Sequence, residues 1–197
     1  TMSGAVVLRL EGSAWATRRE ERSMSLAGLV PLVAEDAAVA EALRLAATGS
    51  GGELTVPSTA TAAIVAAMAR GMHGAARPVL AVTATTREAD DLVAALSSLL
   101  DPETVTDFPS WETLPHERLS PRSDTVGRRL AVLRRLVHPD PADPGSGPLA
   151  VVVAPVRAVL QPFVTGLGDL EPVRIHAGDE IDLAEVVRRL ADSGYSR

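Results

Sequence analysis

The sequence predicts an α/β fold: a parallel sheet covered by helices on both faces. Three observations point to it. Short β-prone runs alternate with stretches of helical period from residue 53 to 163. One of those runs, "LAVVVAPV" (149–156), is apolar throughout, as a strand buried on both faces must be. The chain is 46% apolar, mostly alanine, valine and leucine, which is ample for one aliphatic core in 197 residues.

Residues 1–23 show no period and mix both charge signs, so they read as a disordered leader or upstream extension ending at Met24. Ordering them would cost about 1–2 kcal/mol per residue without burial in return, so a chain starting at Met24 is expected to melt unchanged. From Met24, Leu29, Leu32 and Val33 precede Ala37, Val39, Leu43 and Leu45, which predicts two short helices broken at Pro31. The glycines at 49–52 close the second. A strand at 53–56 then leads to a helix over 59–72, and a strand over 79–83 to a helix over 86–100. Thr85 and Glu88 open that helix at capping-box spacing. Ala89, Leu92, Val93, Leu96 and Leu100 give it one apolar face. A short strand near Val105 precedes a long loop, 108–123. The next helix, 124–138, is expected to be capped by Asp124, with Val126, Leu130, Leu133 and Val137 inward. A Pro/Gly/Asp linker (138–148) leads to strand 149–156.

After Phe163 the pattern changes. A strand at 173–175 and a helix over 183–191, capped by Asp182 and ended by Gly194, have no partner strands of their own. The sequence therefore divides into the leader 1–23, an α/β module over 24–163 and the truncated start of a second α+β domain over 164–197.

Composition removes whole classes of chemistry. All 19 basic residues are arginine, which excludes Schiff-base and phosphate-loop lysines. With no cysteine, disulfides and thiolate zinc sites are absent. Four scattered histidines have no ligand spacing, so no metal site is expected. A net charge of −6 argues against a whole-surface nucleic-acid binder. No apolar run approaches the roughly 20 residues of a membrane span, and a cytoplasmic protein is expected.

Two segments invite a functional reading. Residues Val56, Pro57, Ser58, Thr59, Ala60, Thr61, Ala62 and Ala63 have the strand–loop–helix outline of a phosphate-binding loop. That loop would need lysine and Ser/Thr at 62 and 63, where both residues are alanine. No nucleotide, cofactor or metal site is expected there, and no catalytic residue is assigned. His116-Glu117 and Asp90-Asp91 have no nucleophile near them and receive no chemistry.

The second segment, "FPSWETLPHERLSPRSD", is long for a loop and stiffened by Pro109, Pro115 and Pro121. Trp111 is expected to be its buried anchor. Arg118, Arg122, Arg128, Arg129, Arg134 and Arg135 form a candidate exposed basic patch, supporting at most weak, salt-sensitive DNA binding. An ordinary solvated helix face is the plainer interpretation.

The run "FPSWETLPHERLSPRSDTVGRRLAVLRRL" closely resembles the Glu-Thr-Leu-Pro…Ser-Pro segment near the N-terminus of bacterial transcription-repair coupling factors. Its signature residues are Trp111, Glu112, Thr113, Leu114, Pro115, Ser120 and Pro121. "VLAVTATTREADDLVAAL", "VVVAPVRAVLQP" and "LADSGYSR" agree, so the resemblance covers about 24–197. It implies a module similar to the excision-repair protein UvrB that has lost its nucleotide motif, with 56–63 in the place of the phosphate loop. UvrB's aromatic DNA-gripping hairpin has no counterpart here, since Pro115 runs through Ser120-Pro121 straight into a helix. The resemblance further implies a full-length protein that uses ATP and magnesium to move on DNA, displaces stalled RNA polymerase and recruits UvrA. This chain would be a non-catalytic scaffold within it, packed against the rest of the polypeptide. The rival is a small α/β ligand-binding enzyme with Ser58, Thr59, Thr83, Thr85 and Arg157 at its strand ends.

Overall fold

The computed structural model describes residues 10–11, 25–72, 77–113, 122–173, 175–176, 178 and 180–192. Three parallel strands form its sheet in the order β2-β4-β3, where β2 is Val79–Thr83, β3 Val105–Asp107 and β4 Val151–Pro155. Val151 and Val153 pair with Val79 and Ala81 on one side and with Val105 and Asp107 on the other. All five residues of β4 are buried, as its uninterrupted apolar sequence requires. Backbone bonds extend the ladder past β3, from Phe108 N–H to the Val153 carbonyl at 2.7 Å.

Helices lie on both faces. Before the sheet come α1 (Leu29–Ala34), α2 (Ala37–Thr48) and α3 (Thr61–Met72), the last entered through a 3₁₀ turn at Ser58–Ala60. They are joined by α4 (Thr86–Leu99). Val30, Ala66, Ala67, Ala69, Ala89, Leu96 and Leu99 of this layer share one core with Val105, Val151 and Val153. On the opposite face, α5 (Ser123–Val137) and α6 (Val156–Leu160) bury Val132 and Ala158 with Phe108, Leu149, Val152 and Ala154.

Local chemistry explains most boundaries. Asp36 accepts N–H bonds from Ala38 and Val39 and starts α2, and Gly49 ends it in the left-handed region at φ +70°. The helices separate at Asp36 rather than at Pro31. Pro31 lies in the first turn of α1, where its missing N–H costs nothing. Thr85 accepts from Glu88 N–H at 3.2 Å while Glu88 accepts from Ala84 N–H, so α4 opens through a reciprocal cap.

Four expectations need correction. Residues 53–56 form no strand: Leu54 and Val56 are half-buried, but the sheet ends at β2 and no described strand lies beside them. β2 is not buried on both faces, because Leu80 and Val82 are 54% and 50% exposed. Arg122, not Asp124, occupies the N-cap of α5, and its side chain makes no cap bond. The buried residues of α5 are Thr125, Gly127, Arg129 and Val132; Leu133 packs partly against the second core as expected, Val126 and Leu130 are half-buried, and Val137 is exposed.

Towards the end of the chain, β5 (Ile175–His176) precedes α7 (Leu183–Asp192), whose Asp182 accepts from Ala184 N–H. β5 pairs in parallel with β1 (Leu10–Glu11), two residues of strand within the 1–23 leader, where the sequence predicted none. Gly194 lies outside the described residues.

Candidate functional site

At the phosphate-loop position the chain is built for packing. Pro57 leads into the 3₁₀ turn, whose Ala60 N–H bonds the Pro57 carbonyl at 2.9 Å, and Ser58 and Thr59 are exposed. Ala62 and Ala63 pack partly into the first core beside Val65, one turn before the buried Ala66 and Ala67. Small side chains let α3 lie close to α1 and α4, at positions where a phosphate loop would display a lysine and a hydroxyl. Of the rival's strand-end groups, Thr83 donates its hydroxyl to the Thr85 carbonyl at 2.9 Å and Thr85 caps α4. Those oxygens serve the turn itself.

The turn after β3 is the most heavily bonded polar feature of the second face. Gln161, at the end of α6, clasps the main chain of Trp111. Its Oε1 accepts the Trp111 N–H at 2.7 Å and its Nε2 donates to the Trp111 carbonyl at 3.2 Å. Thr125 on α5 donates to the Glu112 carboxylate. Burial pushes the Glu112 carboxyl up, but that bond and backbone donors outweigh it and leave the group below its ordinary range. Arg128 pairs with Asp107 at the end of β3. Thr113 is half-buried; Leu114, Pro115, Arg118, Ser120 and Pro121 lie outside the described residues.

Arg129 is the largest departure from the sequence reading. It was expected on the exposed patch and is instead 1% exposed. Its guanidinium sits 4.0 Å from the centre of the Phe108 ring and 4.3 Å from the Trp111 ring, and Nη1 donates to the Pro109 carbonyl at 2.6 Å. Phe163 meets Phe108 edge-on, 6.5 Å between centroids. Desolvation lowers the Arg129 pKa to about 10, which leaves it charged at neutral pH. Trp111 is half-buried, held by this stack and by its main chain rather than sunk in the aliphatic core.

Two of the remaining arginines also bond inward. Arg135 donates to the Gly147 carbonyl at 2.8 Å and to the Glu103 carbonyl at 2.5 Å, and its burial lowers its pKa. Arg134 donates to the Leu170 carbonyl at 3.3 Å. Arg122 is exposed, 3.4 Å from Asp124. The patch is thus a bonding frame that ties α5 to β3, the 138–148 linker and the 166–172 turn. In that turn Gly168 lies against α5 so closely that a Cβ there would stand 2.9 Å from the Leu133 carbonyl oxygen. His138 meets Asp169 at 2.7 Å on the same seam.

Sequence reasoning missed Gln161 and Gly168. Their partners lie 50 residues away and at positions 133–137, and neither residue carries a local signal.

No protein-family model matches the chain. Two curated relatives do: the transcription-repair-coupling factors of Mycobacterium bovis and Mycobacterium tuberculosis, each 49% identical over 172 residues. The match takes in 87% of this chain and 14% of each relative, so the chain spans a small part of their length. Identity at that level over nearly the whole chain, carried on an α/β module with its polar frame, makes it a fragment belonging to the transcription-repair-coupling factor family.

Proposed function

We propose that the chain is a non-catalytic, UvrB-like scaffold within a coupling factor. The observation that carries this reading is the use of Ala62 and Ala63 as packing residues where a nucleotide site would need lysine and a hydroxyl. The full-length protein, in this proposal, is an ATP- and magnesium-dependent DNA translocase acting in nucleotide excision repair of damaged DNA. It displaces stalled RNA polymerase and recruits UvrA through its UvrB-like part. The ATP site, the hydrolase activity and the DNA grip belong to the motor outside this chain, and the protein works in the cytoplasm. Among the described residues no helix is long and apolar enough to cross a membrane. The module spans 24–163, and 164–197 begins the UvrA-interacting type of domain.

Calorimetry of the 197-residue chain with Mg-ATP is expected to show no binding. A micromolar dissociation constant would overturn the scaffold reading in favour of a ligand-binding enzyme. Titration with duplex DNA at two salt concentrations tests the frame: with Arg129, Arg134 and Arg135 bonded inward, binding should be weak and vanish at physiological salt.

A further inference from the structure

One donor group in the frame is left unanswered. Both faces of the Arg129 guanidinium are covered, by Phe108 at 4.0 Å and Trp111 at 4.3 Å, and Nη1 is taken by the Pro109 carbonyl. Nε and Nη2 are closed off from solvent and have no hydrogen-bond partner among the described residues. These two nitrogens share one edge of the planar group, the edge that grips a carboxylate or phosphate through two parallel N–H···O bonds. The acids that flank this turn in sequence are already committed, Asp107 to Arg128 and Glu112 to Thr125. A buried cation with idle donors is costly unless an anion meets it.

The surroundings suit a ligand. Through Nη1 the guanidinium is bonded to Pro109, two residues past the carboxyl end of β3, the end at which open parallel sheets take ligands. Trp111 is half-buried, and its hydrogen bonds to Gln161 run through main-chain atoms alone, so its ring meets Arg129 by stacking and not by a hydrogen bond. We propose that the Nε/Nη2 edge of Arg129 is a receptor for a single oxyanion group, a carboxylate or a phosphate.

The test follows the Arg129 Nε–H resonance by NMR in the 197-residue chain, assigned through bonds from its own backbone. Sodium phosphate and sodium acetate are titrated separately against sodium chloride at matched ionic strength. A saturable downfield shift with phosphate, acetate or both, and none with chloride, is expected. Which of the two shifts it identifies the tetrahedral or the planar anion. Phosphate or acetate should also raise the melting temperature of the natural chain and of Arg122→Lys, but not of Arg129→Lys, which keeps the charge and loses the fork. A resonance that stays still, moves equally with chloride, or is lost to water exchange in every buffer overturns the proposal. So does an equal melting gain in Arg129→Lys. Should that variant fail to fold, the resonance of the natural chain decides alone.

Discussion

On one face of β4, Val151 and Val153 meet Leu96, Leu99, Ala66 and Val105, all aliphatic. On the other, Val152 and Ala154 meet Val132, Ala158 and Phe108, and beside Phe108 an arginine lies between two aromatic rings. The same five-residue strand thus supports one core held by packing and one bordered by directional bonds. The first is insensitive to which aliphatic side chain fills it, provided volume is kept. The second depends on individual side chains: Gln161, Thr125 and Arg129 each answer a named atom of the turn after β3, and Arg128 answers Asp107 at the end of β3.

Truncation on the aliphatic face should have the largest effect. Leu96 is fully buried, so Leu96→Ala is expected to cost about 2–5 kcal/mol by loss of transfer energy and the cavity left behind. Denaturant unfolding checks it, and a cost below that of any change around Arg129 would reverse the ranking of the two faces. Next comes the seam between α5 and the 166–172 turn. Gly168→Ala sets a Cβ against the backbone of Leu133 and the side chain of Val137, and should cost about 1–3 kcal/mol. A neutral result would mean that the turn rides freely on α5.

Arg129→Met then separates shape from charge. The thioether fills much of the slot between the rings and removes a desolvated cation, so stability should change by only about 1 kcal/mol in either direction. A loss of several kcal/mol would show that the guanidinium itself holds the second face together. Glu112→Gln should have the smallest effect. The folded-state pKa of Glu112 is depressed, so its contribution is present above the ordinary glutamate range and is lost as pH falls through the folded value. The variant should therefore lose less stability than the natural chain between neutral and acid pH, in melts across that window. Equal slopes would mean that the bond from Thr125 is not coupled to the carboxylate charge.

How much of this was legible varies with the physics of each part. Periodicity placed α4, β2 and β4 within two residues, because burial of an aliphatic face leaves its spacing in the sequence. The same rule was only partly right for α5. Of the expected inner face, Leu133 does pack on the core, but Val126 and Leu130 are only half-buried and Val137 is exposed, while Thr125, Arg129 and Val132 are the side chains turned fully inward. An arginine counts as polar by type; two rings and a carbonyl supplied from the turn after β3 make burial tolerable for this one.

The linear chain was enough to establish the fold class, the missing lysine and hydroxyl at 62 and 63, and the exclusion of lysine and thiol chemistry. These depend on residue identity and on short-range spacing, both of which a linear chain displays. Only the folded chain shows that 53–56 has no described strand partner, that Arg129, Arg134 and Arg135 bond inward, and that Gln161 closes on Trp111. Each of those outcomes depends on groups distant along the chain arriving within about 3 Å of one another, the distance at which a hydrogen bond is made or lost.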